Sequence, residues 1–143
     1  MAMRTLVATI SLLSWCVLLA GCGRDYQGDL RFPLSGAATF EGQPIDLGSI
    51  TLHPKGGGAK SPSGGVITDG KFSIPEVTGP NAGTYRVEIH WLKRTGKQLL
   101  DKDTGEMYDQ RIEALPNKFH KASELTVEVP TPENSHDFNL KSS

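Results

Sequence analysis

From residue 34 onward the chain alternates apolar and polar positions over short stretches, with turn residues between them. Alternation of period two predicts strands with one buried face. Residues 34–40 form the first, closed by the turn Glu41-Gly42-Gln43-Pro44, where Gly42 is free to take a positive φ. Residues 47–54 form the second, with Ile50 and Leu52 on one face and Ser49, Thr51 and His53 on the other. The following stretch, KGGGAKSPSGG at 55–65, has the composition of a flexible loop. Val66-Ile67-Thr68 and Lys71-Phe72-Ser73-Ile74 then flank Asp69-Gly70, the pair favoured in a type I′ hairpin turn. That turn sets Thr68 opposite Lys71 and Ile67 opposite Phe72, and it places Ile67, Phe72 and Ile74 on one face.

After a loop over 75–83, residues 84–92 (TYRVEIHWL) alternate strictly. Tyr85, Val87, Ile89 and Trp91 point inward and Arg86, Glu88 and His90 outward, as in a central strand with one buried face. Residues 93–115 are charged and longer than an ordinary connection between strands, and Tyr108, Ile112 and Leu115 are spaced for one short helical face. Leu125, Val127 and Val129 mark a sixth strand; residues 130–134 turn the chain; Phe138 and Leu140 point inward from a seventh. Seven short strands with little helix predict an all-β fold, a seven-stranded antiparallel β-sandwich over residues 34–143.

A different pattern precedes the strands. Arg4 is followed by the largely apolar run LVATISLLSWCVLLA, residues 6–20, shorter than the roughly 20 residues that a membrane-spanning helix needs. The run ends in Leu19-Ala20-Gly21-Cys22. This segment resembles the lipobox of bacterial lipoproteins, an aliphatic residue and two small residues before a cysteine. The types fit the chemistry: a thiolate is the side chain to alkylate, and small residues let an extended backbone enter a protease cleft. The resemblance implies a cleaved signal helix over 1–21 and cleavage between Gly21 and Cys22. It also implies a diacylglyceryl thioether on Cys22, and in many such proteins a further acyl chain (palmitate) on its amine. One chain, at about 0.8 kcal/mol per buried CH₂, binds a membrane marginally, and two anchor it stably. Gly23 stands where an aspartate would retain the protein at an inner membrane, which favours the outer membrane. The expected location is the bacterial cell envelope, with the membrane as partner through the lipid and residues 22–33 as lipidated cysteine and tether.

The body carries a second resemblance. Its pieces include Ser35-Gly36 leading to Thr39-Phe40-Glu41-Gly42-Gln43-Pro44, then Gly48-Ser49-Ile50-Thr51-Leu52-His53-Pro54 and Thr68-Asp69-Gly70-Lys71-Phe72-Ser73-Ile74. Ala82-Gly83-Thr84-Tyr85-Arg86-Val87, Leu115-Pro116-Asn117-Lys118-Phe119, and Leu125-Thr126-Val127 through Asp137-Phe138-Asn139-Leu140 complete the order. In that order they are similar to small lipoproteins, abundant in planctomycete bacteria, that carry a transthyretin-like (prealbumin-like) or carboxypeptidase regulatory-like β-sandwich. The resemblance implies a fold and an address. It transfers no catalytic residue, because its motifs are turns and core positions.

Composition narrows the function further. The 143 residues suit one domain, and Gly 16 and Pro 9 favour a turn-rich β fold. With 15 Lys+Arg against 16 Asp+Glu the net charge is -1, without the basic surplus of a nucleic-acid binder. Of the two cysteines, Cys16 lies in the expected signal and Cys22 is expected to be consumed by lipid, which leaves the mature chain no thiol for a disulfide, a metal or catalysis.

His53, His90, His120 and His136 are too far apart for a local metal motif, and His90 reads as surface. No serine stands in G-x-S-x-G. Residues 56–61 (GGGAKS) differ from a phosphate loop in having Ala59 before Lys60, and read as a strand connection. Asp101, Asp103 and Glu106, with Asp109, outline a calcium loop only faintly, since Gly105 takes a ligand's position. Trp91 alternates inward and reads as core. The sequence therefore assigns no catalytic residue, metal or cofactor. The leading expectation is a non-catalytic structural or interaction module with envelope protein partners. The alternatives are a carbohydrate or small-ligand module and, behind it, a transthyretin-like hydrolase.

Overall fold

The computed structural model describes residues 28–143. The expected signal helix over 1–21, the junction between Gly21 and Cys22, the lipidated Cys22 and the first part of the tether lie outside the described residues.

The described residues form nine strands and no α-helix. These are β1 (Leu34–Phe40), β2 (Gln43–Pro44), β3 (Leu47–Gly56), β4 (Ser63–Thr68), β5 (Lys71–Ile74), β6 (Gly83–Leu100), β7 (Met107–Glu113), β8 (Thr126–Val129) and β9 (Phe138–Leu140). They make one hydrogen-bonded network in the order β2-β1-β5-β4-β3-β6-β7, with β8 added to β6 and β9 to β1. The first half of β1 pairs with β5, and its second half pairs with β2 and, in parallel, with β9. The other pairings are antiparallel.

All seven expected strands are present, but the count of seven antiparallel strands is corrected to nine, with one parallel pair. The short β2 arises inside the expected turn. The second correction is larger: residues 93–115 hold no helical face. β6 continues to Leu100 and β7 returns beside it. Tyr108 and Ile112 are four apart, a spacing that period two satisfies as well as period 3.6, so the apolar positions alone did not distinguish the two.

Local chemistry explains the turns. Asp69 (φ 51°) and Gly70 (φ 77°) both have positive φ, as a type I′ turn requires, and the observed pairs are Thr68 with Lys71 and Ile67 with Phe72. Glu41 (φ 49°) and Gly42 (φ 78°) repeat the device between β1 and β2.

The core lies beneath the inward row of β6. Tyr85, Val87 and Ile89 are fully buried and Trp91 nearly so, packed with Leu34, Ile50, Leu52, Ile67, Ile74 and Val127. Each such side chain contributes about 1.5–3 kcal/mol through burial. The Tyr85 hydroxyl keeps its polar end satisfied: it donates to Asn81 O (3.2 Å) and accepts the Asn81 N–H (3.0 Å). The last residues of the expected tether lie against this corner, where Phe32 N–H donates to Pro80 O (2.9 Å) and Arg31 Nη1 to Gly79 O (2.8 Å).

β3 approaches β6 so closely at Gly48 that a Cβ there would stand 2.0 Å from the His90 carbonyl oxygen. Gly96, on the outer part of β6, has φ +80° and open space around it. Gly48→Ala is expected to cost about 3 kcal/mol or more, at the severe end for single substitutions. Gly96→Ala is expected to cost about 1 kcal/mol of backbone strain. Denaturant midpoints of the two variants check the order.

Candidate functional site

The outer part of β6 and β7 form a two-stranded arm that leaves the body at Trp91. Every residue of β6 from Leu92 to Leu100 is exposed. The register pairs Leu92 with Glu113, Lys93 with Ile112 and Arg94 with Arg111, then Gln98 with Asp109, Leu99 with Tyr108 and Leu100 with Met107. Thr95, Gly96 and Lys97 thus stand opposite the single residue Gln110, a bulge on β6 held by Thr95 Oγ1 donating to Gln110 Oε1 (2.9 Å).

At the tip, Asp101 N–H donates to Glu106 O (2.8 Å). The Asp101 carboxylate accepts the N–H groups of Asp103 (2.8 Å) and Thr104 (3.2 Å), which hold its carboxyl below the usual range. The residues weighed as a calcium loop build this turn. Among the described residues no group of three or more His, Cys, Asp or Glu converges as metal ligands.

At the root, one carboxylate joins arm to body. Glu113 Oε1 accepts the N–H groups of Trp91 and Leu115, both at 3.0 Å, and Oε2 accepts a hydrogen bond from His90 Nδ1 (2.6 Å). Burial pushes the Glu113 carboxyl up, but the two backbone donors and the His90 ring outweigh it, so its pKa is lowered. Trp91 Nε1 donates to Asp46 Oδ1 (2.5 Å), which lowers the Asp46 pKa. The edges of Trp91 and Phe119 meet Phe40 with centroids at 6.3 and 6.0 Å.

The structure brings together two of the four histidines. The His90 ring lies 5.1 Å from that of His120, which is buried, with Nε2 donating to Leu115 O (3.1 Å) and Nδ1 without a partner among the described residues. His90 is therefore half-buried in a cluster rather than a plain surface residue, which corrects the expectation. His53 Nε2 lies 3.1 Å from Glu88 Oε2 without the alignment of a hydrogen bond. His136 packs on Phe138 at 4.7 Å. Gly57 and Gly58 turn the chain between β3 and β4, and Lys60 Nζ reaches Asp29 Oδ1 (2.5 Å).

Sequence reasoning missed Glu113 and the exposed apolar side chains of the arm. Leu100 and Met107 are each 57% exposed, Ile112 53% and Tyr108 51%. Their signal was the Asp101-to-Gly105 turn between Leu99-Leu100 and Met107-Tyr108. Of the aromatic side chains on β6 and β7, Trp91 and Tyr85 are buried and Tyr108 is open. Comparison of the chain with protein-family models, curated proteins and solved structures finds no match.

The clasp predicts an acid dependence with a definite sign. A carboxyl with a lowered pKa in the folded protein contributes stability above its unfolded value, about 4.3. That contribution is lost as the pH falls through the folded value. Glu113→Gln is expected to flatten the loss of stability below about pH 4.3. Glu113→Ala, which strands two backbone donors, is expected to cost about 1–3 kcal/mol near neutral pH. Denaturant unfolding across pH 3–7 measures both.

Proposed function

We propose that the chain is a non-catalytic, lipid-anchored module of the bacterial cell envelope, in which a β-sandwich of transthyretin-like type carries a projecting hairpin that contacts another protein. The anchor reading is supported by Leu19-Ala20-Gly21-Cys22 after a short apolar run. The contact reading is carried by one observation: the arm holds Leu99, Leu100, Met107, Tyr108 and Ile112 in the open, outside a core that is complete without them. Exposed apolar side chains grouped on one element mark interaction sites.

A ligand-binding alternative draws on the open Tyr108 ring, and a hydrolase on the pairing of His90 with Glu113 near His120. A saturable sugar- or substrate-dependent shift in Tyr108 fluorescence, or esterase activity lost in His90→Ala, would replace the contact reading.

Two measurements test the proposal. In cells fed labelled palmitate, the chain is expected to take up label and fractionate with membranes. Cys22→Ala is expected to take up none and to keep its N-terminal segment; a mature N-terminus at any position other than Cys22 would overturn the anchor. Replacing residues 94–111 by Asn-Gly closes the hairpin at Lys93 and Ile112. This variant is expected to keep its unfolding free energy within about 1 kcal/mol, because it loses only arm contacts. It is also expected to lose the protein crosslinks formed in intact cells, and crosslinks unchanged without the arm would sink its contact role.

A further inference from the structure

The geometry points to a second copy of this chain as the partner of the arm, joined edge to edge through β7 about a twofold axis at Gln110. This deepens the contact role proposed above and rests on it.

The first observation is the free edge. Ala114 N–H donates to Trp91 O (2.9 Å) at the root, and Asp101 N–H to Glu106 O (2.8 Å) at the tip. Antiparallel ladders alternate between hydrogen-bonded and non-hydrogen-bonded pairs, and both ends give the same phase. Tyr108, Gln110 and Ile112 turn their backbone groups toward β6. Asp109 and Arg111 turn theirs outward, where β7 has no further strand beside it among the described residues. Thr95 Oγ1 reaching the Gln110 carbonyl agrees with this phase.

The second is the asymmetry between the arm's two edges. The β6 edge is broken by the bulge at Thr95, Gly96 and Lys97, and it carries Lys93, Arg94 and Lys97. Bulges and lysines are the usual means of keeping an edge from pairing. β7 carries no bulge and offers its outward groups without interruption.

The third is charge complementarity of β7 with itself. Its sequence is MYDQRIE. Laid antiparallel on a second copy with Gln110 at the axis, Asp109 faces the partner's Arg111 and Arg111 faces the partner's Asp109. Tyr108 meets the partner's Ile112 in the same two-fold manner. Opposite charges and aromatic–β-branched pairs are the favourable cross-strand combinations. The Asp109 pair falls on the outward-turned backbone groups, so side-chain and main-chain pairing coincide in one register. Sliding by two residues sets Asp109 against a second Asp109, or Arg111 against a second Arg111. Asp109 already lies 3.4 Å from Arg94 Nε, and Arg111 Nη1 donates to Leu92 O (3.1 Å). Both contacts are exposed and can be shared with the partner without burying a charge. A twofold contact of this kind closes on itself and does not propagate into fibres.

The test uses the full chain in intact cells, with Gln110→Cys as reporter. At a non-hydrogen-bonded antiparallel pair the Cα atoms stand about 4.5 Å apart, within the range a disulfide spans. After mild oxidation with copper–phenanthroline, Gln110→Cys is expected to run as a disulfide-linked dimer on a non-reducing gel. The wild-type chain and Asp103→Cys at the arm tip are expected to stay monomeric. Adding Asp109→Arg to the reporter is expected to cut the dimer about tenfold, by setting arginine against arginine twice. Adding Arg111→Asp as well restores the charge pairing and is expected to restore the dimer. These substitutions lie in the arm, so wild-type accumulation of the mature chain shows that the body has folded. A dimer equally strong at Asp103→Cys, or a charge reversal that the second reversal does not rescue, overturns the proposal. Gln110→Cys captured only on a different protein also overturns it, yet leaves the arm as a contact surface. Loss of that broader role is read separately, from the arm replacement.

Discussion

Burial of Tyr85, Val87, Ile89 and Trp91 on one face of β6 is the constraint around which the sheet is arranged. β3 pairs with this segment from Gly48 opposite Trp91 to Gly56 opposite Thr84, and β8 takes its other edge from Gly83 to Arg86. A strand hydrogen-bonded on both edges and covered on one face has no freedom of register, since a slip of one residue would send four large side chains to solvent. Gly48 permits the close approach on the β3 side. On the outward face the same strand carries Arg86, Glu88 and His90, where Arg86 Nη1 lies 2.7 Å from Glu88 Oε1. Burial pushes the Glu88 carboxyl up, and Arg86 and His53 together more than reverse this.

That constraint ends at Trp91, and the arm follows from its ending. Beyond this point β3 no longer runs alongside, and residues 92–100 of β6 are exposed. An isolated two-stranded ribbon is marginally stable in water. Here both ends of the ribbon are fixed by carboxylates. Glu113 ties the root to the Trp91 and Leu115 backbone and to His90, and Asp101 closes the tip through the N–H groups of Asp103 and Thr104. Glu113 thus connects the buried row, through the backbone of Trp91, to the strand that leaves it.

Much of this was legible in the residues. Turn chemistry and alternation agreed at Asp69-Gly70, and the register there is the expected one. The strict alternation of residues 84–91 is a two-sided pattern, and the burial follows it position by position. The arm was not legible, because its signal is one that burial does not enforce. Tyr108, Gln110 and Ile112 alternate with Asp109 and Arg111, but no core selects between their faces, and Tyr108, Ile112 and Leu115 fit a helical face equally well. The Glu113 clasp was hidden for another reason. Its partners Trp91 and His90 lie 22 and 23 residues away, and two of its three bonds are to backbone N–H groups, which leave no trace in residue type.

The proposed anchor and the arm also bear on one another. Edge pairing of a seven-residue strand offers few contacts, and association in dilute solution must first overcome the loss of translational freedom. Chains held by acyl groups in one membrane, as proposed, would already have lost most of that freedom. Their arms would meet at an effective concentration set by the tether rather than by the bulk. A weak, self-complementary edge is suited to such a setting, because charge alternation fixes its register while the small contact lets it open again. The same edge on a freely diffusing protein would be mostly unpaired, and the apolar side chains of its arm would remain in water.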